Sequence, residues 1–263
     1  MKPGISPKAR HRSSVANRTH RPPGAPGSWR QPGRFRNPDG ALFAVLLMGS
    51  ALTGCSGSRS LEPVGPEIDG AQIALDLEEA TRPTGSSRLL FQWRLQEPTL
   101  RFSGDGVIRM EDPYKARLDL FTDRGEGAAQ AALVEGDLRI PPAAMDVPLP
   151  PAPLFWATLG VFRPGDGAEL IGANARDDGT LLRYELADGR RMHFLVRGMR
   201  IEQVELRVDD SVEEEVRLEW TPEGRVPAAA RYRLMREARE LSTTLERIED
   251  VETFSPGIWV PRG

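Results

Sequence analysis

The feature that most constrains this chain is a period-two alternation of apolar and polar residues, broken again and again by short polar turns. Leu89, Phe91, Trp93 and Leu95 alternate with Leu90, Gln92, Arg94 and Gln96. Side chains two apart share one face of a strand, so this segment is a strand with one packed face. Residues 106–110 and 116–121 follow in the same way, with Leu118 and Leu120 on one face and Arg117 and Asp119 on the other. Short strands are expected at 128–134 and 137–140. Later ones fall at 168–172, 181–186, 192–196, 201–208 and 215–220, where Val204 and Leu206, then Leu218 and Trp220, line the apolar faces. Asp123-Arg124-Gly125, Glu135-Gly136 and Asp188-Gly189 are turn sequences. Strands joined by tight polar turns make an antiparallel meander, here of nine to eleven strands. The Glu213–Glu215 run reads as a solvated strand end.

Two stretches interrupt the meander. Residues 141–153 hold six prolines, which no strand or helix interior accommodates. Residues 154–162 are nearly all apolar, and too few to cross a bilayer. They read as a buried short helix, as a lid over a ligand cavity, or as a loop touching a membrane. Ile73, Leu75 and Leu77 within an acidic stretch predict a short helix over 71–81, ended by Pro83 and Gly85. Residues 227–248 are ambiguous. Leu234, Ala238, Leu241, Leu245 and Ile248 recur at helical spacings, while Ala230, Tyr232 and Leu234 alternate like a strand.

The N-terminal end has another character. Residues 1–40 are rich in Arg, Pro, Gly and Ser without apolar periodicity, and such a segment forms no core. An apolar run from Ala41 follows, flanked by Arg34 and Arg36, and it has the length of a signal-peptide core. It leads into Leu52-Thr53-Gly54-Cys55, which matches the bacterial lipoprotein signal. Cys55, the chain's single cysteine, is therefore expected to be acylated and to become the mature N-terminus. Residues 1–54 then form a signal peptide with a long basic front, 55–70 a lipidated tether, and 71–261 the folded domain. Multiple acyl chains hold a protein firmly on a membrane. With no Asp after Cys55, the expected location is the periplasmic face of the outer membrane, with the inner membrane as the alternative.

Composition excludes several function classes. Residues 1–54 carry nine Lys/Arg and one acidic residue, but from Cys55 onward 26 Lys/Arg face 37 Asp/Glu. An acidic domain lacks the basic footprint of a nucleic-acid binder. One cysteine excludes an intramolecular disulfide and Cys-rich metal sites. No phosphate loop, nucleophile elbow, dinucleotide fingerprint or metalloprotease motif is present. His193, the one histidine after Cys55, lies on a strand and reads as a sheet-face residue. No catalytic residue, cofactor or metal site is expected, and the chain does not read as an enzyme.

The order of these features resembles the LolA/LolB superfamily of bacterial periplasmic lipoprotein carriers and outer-membrane lipoproteins, its lipid-anchored branch in particular. The residues that carry the resemblance are Cys55, the short helix before the sheet, and the stretch 102–121. There a strand bearing Gly104 and Gly106 passes through Pro113 into a strand with Arg117 and Asp119. The proline-rich middle with its short helix agrees, as does the ending around Phe254, Pro256 and Trp259. The resemblance implies a mainly β fold, a curved antiparallel half-barrel closed by short helices, with an apolar inner face that takes acyl chains. It also implies strands over 228–235 and 240–248. On this reading the cavity candidates are Phe91, Trp93, Leu118, Leu120, Phe155, Trp156, Leu159, Val204, Leu206, Leu218 and Trp220. The implied function is non-covalent binding of the acyl chains of a lipoprotein or lipid, in transfer to the outer membrane. The alternative is an accessory lipoprotein that carries an envelope protein partner and no lipid cargo.

Overall fold

The computed structural model describes residues 60–143 and 145–261. In chain order these form β1 (Glu67–Ile68), α1 (Ala71–Thr81), β2 (Ser86–Gln96), β3 (Arg101–Glu111), β4 (Lys115–Phe121), β5 (Gly127–Val134) and β6 (Asp137–Arg139). Next come α2 (Ala152–Thr158), β7 (Glu169–Arg176), β8 (Gly179–Glu185), β9 (Arg191–Arg197), β10 (Arg200–Val208), β11 (Ser211–Glu219), β12 (Ala229–Leu234) and β13 (Arg239–Val251). A single 3-10 turn, Pro256–Trp259, follows. The expected signal peptide and the expected acylation site, Cys55, lie outside the described residues.

All thirteen strands join one antiparallel sheet in the order β1-β7-β8-β9-β10-β11-β12-β13-β2-β3-β4-β5-β6. Every neighbour pair is sequential except β1–β7 and β13–β2. The meander is therefore as expected, with more strands than the nine to eleven read from the sequence. The surplus includes β1, inside the segment read as tether. Two residues are too few to show periodicity.

Cross-strand register stacks the apolar positions on one face. Leu118 lies between Ile108 and Ala131, Phe91 between Gly106 and Leu245, and Phe194 between Leu182 and Val204. At Gly106 a Cβ would sit 2.2 Å from the Phe91 ring, so only glycine lets that ring lie across β3. The two helices cover this inner face. α1 buries Ala74 and Leu77 on it, and α2 buries Leu154, Phe155, Trp156 and Ala157.

α2 starts directly after Pro151 and carries Pro153 in its first turn, where proline's fixed φ suits the helix. It stops before Gly160, whose φ of 75° lies in the left-handed region. The apolar run 154–162 is thus a short buried helix followed by buried Val161 and Phe162. Trp156 stands edge-on to Tyr114 and donates from Nε1 to the carbonyl of Glu135 at 3.1 Å.

The ambiguous C-terminal segment is two strands. Its helix-like spacing has a strand explanation. Leu241 to Leu245 is an even step on one face, and between Leu245 and Arg247 the register with β2 shifts by one residue. That bulge returns Ile248 to the same face, opposite Leu89. An even step plus a bulge thus imitates the helical spacing. Further register shifts occur at Ile201/Gln203, Leu206/Arg207, Leu120/Phe121 and Leu170/Gly172. Bulges bend the strands that carry them and increase twist.

Candidate functional site

The inner face holds a cavity of about 40 Å³, lined by Phe91, Ile108, Leu118, Leu120, Pro150, Phe155, Thr158, Leu159, Ala230, Tyr232, Leu241 and Thr243. Five strands, β12, β13, β2, β3 and β4, supply the wall, and α2 with Pro150 supplies the roof. The volume is close to one water's share of liquid, and far below the roughly 300–1,000 Å³ of ligand pockets. Its lining is almost entirely apolar. Tyr232 is the main polar presence, and its hydroxyl turns away to donate to Glu214 Oε2 at 2.7 Å. Burial, then that hydrogen bond, pushes this hydroxyl's pKa far up, so it stays neutral.

Five of the expected cavity residues meet here: Phe91, Leu118, Leu120, Phe155 and Leu159. The others are placed elsewhere. Trp93 is a core residue whose Nε1 donates to the carbonyls of Phe121 at 2.9 Å and Asp105 at 3.2 Å. Trp156, Val204, Leu206 and Leu218 are buried in the same core without lining the cavity. Trp220 lies just beyond β11 and is only half-buried. It donates to the carbonyl of Ile201 at 2.7 Å and lines a separate cleft of about 300 Å³ near Arg200. Trp220 still packs against the inner core beside Gly160, but outside the cavity. Ala230, Tyr232, Leu241 and Thr243 were missed because 227–248 fitted two periods.

A larger cleft of about 680 Å³ opens beside the cavity, lined by Leu95, Leu100, Phe102 and Met145 with Glu97, Arg101 and Arg124 among the polar residues. Leu95 in the cleft is the cross-strand partner of Leu241 in the cavity. The proline-rich segment supplies a wall to each, Met145 and Asp146 to the cleft and Pro150 to the cavity. Asp146 is held there by Arg239, whose guanidinium contacts both its carboxylate and its carbonyl.

The outer face carries a second arrangement. Leu61, 2% exposed, forms a small cluster with Leu181 and Leu195, which are cross-strand partners on β8 and β9. Its backbone N–H donates to Glu205 Oε1 at 2.9 Å, and its carbonyl lies 2.9 Å from His193 Nδ1. A carbonyl only accepts, so His193 carries its proton on Nδ1. Burial lowers the His193 pKa and favours that neutral form. Glu205, 1% exposed, pairs with Arg207 at 2.8 Å, and Arg207 also reaches Ser60 at 2.7 Å and Glu62 at 3.2 Å. Burial raises the Glu205 carboxyl, against the pull of the Leu61 N–H and Arg207. Glu205 faces Glu215 across β10 and β11, a repulsive pairing. Gln203 donates to both carboxylates, at 3.0 and 2.9 Å. Glu215, also 1% exposed, is thus a buried network member and not the solvated strand end expected of 213–215. Arg176 then holds the Glu62 carbonyl and Asn174 the Gly65 carbonyl, ahead of β1. From Ser60 onward, the segment read as tether is docked across β10 to β7.

Among the described residues no cluster of His, Cys, Asp and Glu has metal-site geometry. No helix among them is long and apolar enough to cross a membrane. No protein-family model matches the sequence, and no curated protein matches it. Solved structures do match. A LolA superfamily protein of Nitrosomonas europaea is 12% identical with a TM-score of 0.50, covering 73% of this chain and 97% of its own. A DUF1329 family protein of Desulfovibrio piger is 11% identical with a TM-score of 0.46, over 73% and 98%. A putative outer membrane lipoprotein-sorting protein domain of Vibrio parahaemolyticus is 8% identical with a TM-score of 0.40, over 72% and 95%. The chain is a mainly β, antiparallel protein with a few short helices, and its fold is similar to that of the LolA superfamily protein at 12% sequence identity.

Proposed function

We propose that this is a lipid-anchored envelope protein whose half-barrel binds acyl chains of a lipoprotein or lipid between its inner face and α2. The superfamily it resembles consists of non-catalytic carriers, and no bond is made or broken here. The observation that carries the reading is the apolar cavity under α2 and Pro150, beside the 680 Å³ cleft that Met145 and Asp146 line. At about 40 Å³ the cavity is too small for an acyl chain. Binding therefore requires α2 and residues 145–150 to move outward, so that cleft and cavity merge along Leu95 and Leu241. That same small volume favours a second reading, an accessory lipoprotein with a solid core that carries an envelope partner.

Uptake of a fluorescent fatty acid by the soluble form beginning at Ser56 separates the two. Saturable binding is the expected result. Absence of saturable uptake by folded protein would leave the accessory reading. The anchor is a separate expectation: mass spectrometry of the membrane-bound protein should find acyl chains on Cys55 and none of residues 1–54. Recovery of residues 1–40 joined to the domain would overturn it.

A further inference from the structure

We infer that the docked segment Ser60–Gly65 fixes which rim of the sheet faces the lipid surface, holding the β10–β11 hairpin rim toward the bilayer. The inference rests on Cys55 as the acylated residue. It does not depend on what the cavity binds.

Strand register defines the rim. Val208 pairs with Ser211 at the β10–β11 turn, and Arg207 pairs with Arg191 beside the β8–β9 turn. Leu234 pairs with Arg239 at the β12–β13 turn, and Glu240 with Gln96 beside the β2–β3 turn. Ser103 donates to Asp123 at 3.0 Å, which brings in the β4–β5 turn. These five turns share one end of the sheet. Met199, in the β9–β10 turn, belongs to the opposite end.

The docked segment runs toward the first of these ends. Going backward along the chain, Gly65 lies at Asn174, Leu61 between His193 and Glu205, and Ser60 at Arg207, next to the β10–β11 turn. Cys55 is five residues further on, a reach of at most about 18 Å from Ser60. Were residues 60–66 undocked, the tether would run to Glu67 and span up to about 40 Å. That rivals the length of β13, whose thirteen residues extend roughly 43 Å. A tether that long orients nothing, whereas the short one keeps the Val208–Ser211 rim next to the anchor. The same rim carries exposed Leu100, Phe102 and Met235 and the mouth of the 680 Å³ cleft, so the cleft opens toward lipid.

Cys55 is the chain's single cysteine, and acylation leaves any introduced cysteine as the sole free thiol. The acylated protein is reconstituted in phosphatidylethanolamine–phosphatidylglycerol vesicles with Leu100→Cys or Met199→Cys carrying a fluorophore. Quenching by a headgroup nitroxide lipid is then measured. Several-fold stronger quenching at position 100 than at 199 is expected. A flexible insertion of about twelve Gly/Ser residues between Arg59 and Ser60 leaves the docked segment intact and should erase the contrast. Equal quenching at the two positions of acylated protein overturns the proposal alone. Contrast that survives the insertion overturns the role of the docked segment. A Cys55 without acyl chains overturns both the anchor and this proposal, and leaves the cavity reading to its own uptake test.

Discussion

Replacing Arg207 by alanine is expected to destabilise the protein by about 3–5 kcal/mol, because it strands a buried carboxylate. Glu205 is 1% exposed and sits opposite Glu215, so with Arg207 gone two acidic groups face one another with less compensating charge. The change also removes the guanidinium that holds Ser60 and Glu62. The deficit should depend on pH with a definite sign. Burial already raises the Glu205 carboxyl, and loss of Arg207 raises it further. A carboxyl whose folded pKa is raised binds more protons folded than unfolded. The variant therefore regains stability as pH falls through that raised value. Urea midpoints of the two proteins at pH 8 and pH 5 test this. A loss below about 1 kcal/mol would be that of an exposed pair, and would mean that water reaches this cluster.

Phe155→Ala carries the second large effect, roughly 3–5 kcal/mol, because the ring is 2% exposed and its removal leaves a void beside an existing one. The enlarged space, on the order of 100 Å³ or more, is apolar and stays dry, as such cavities do. If the inner face binds acyl chains, a fatty acid should return part of the loss, about 2.7 kcal/mol at a hundredfold excess over Kd. Thermal midpoints with and without fatty acid give the comparison. Failure of the ligand to raise the midpoint of either protein would assign Phe155 to a plain core and favour the accessory reading.

The sequence made the meander legible because each strand buries one face, and burial on one face writes itself as alternation. Phe91, Leu118 and Leu120 were found this way. The proline run and the apolar residues after it announced a break and a buried helix, and α2 is that helix. Less legible was whatever alternation does not encode. The bulge at Leu245/Arg247 disguised β13 as a helix. Glu205, Arg207 and Glu215 occupy the polar phase of their strands, and no local pattern reports that residues 60–62 cover the first two or that Gln203, Arg217 and Arg233 surround the third. That crossing segment, residues 60–65, has no period at all. Its position depends on one leucine filling a gap between Leu181 and Leu195, which no local pattern reports.

The two ends of the sheet bear on which partners the protein can accept. An open antiparallel sheet offers unpaired N–H and C=O groups along its border strands, a template on which another chain can add itself. Here the borders are β1, two residues long, and β6, three residues long. Behind β1, the Ala175 N–H already donates to the Pro66 carbonyl. Beyond β6, the Met145 N–H donates to the Ala128 carbonyl and occupies part of β5. What is left to copy is two short runs, 169–172 of β7 and 127–131 of β5. Strand exchange between neighbouring copies is thereby limited to these short runs, and the faces and turns offer a partner more surface.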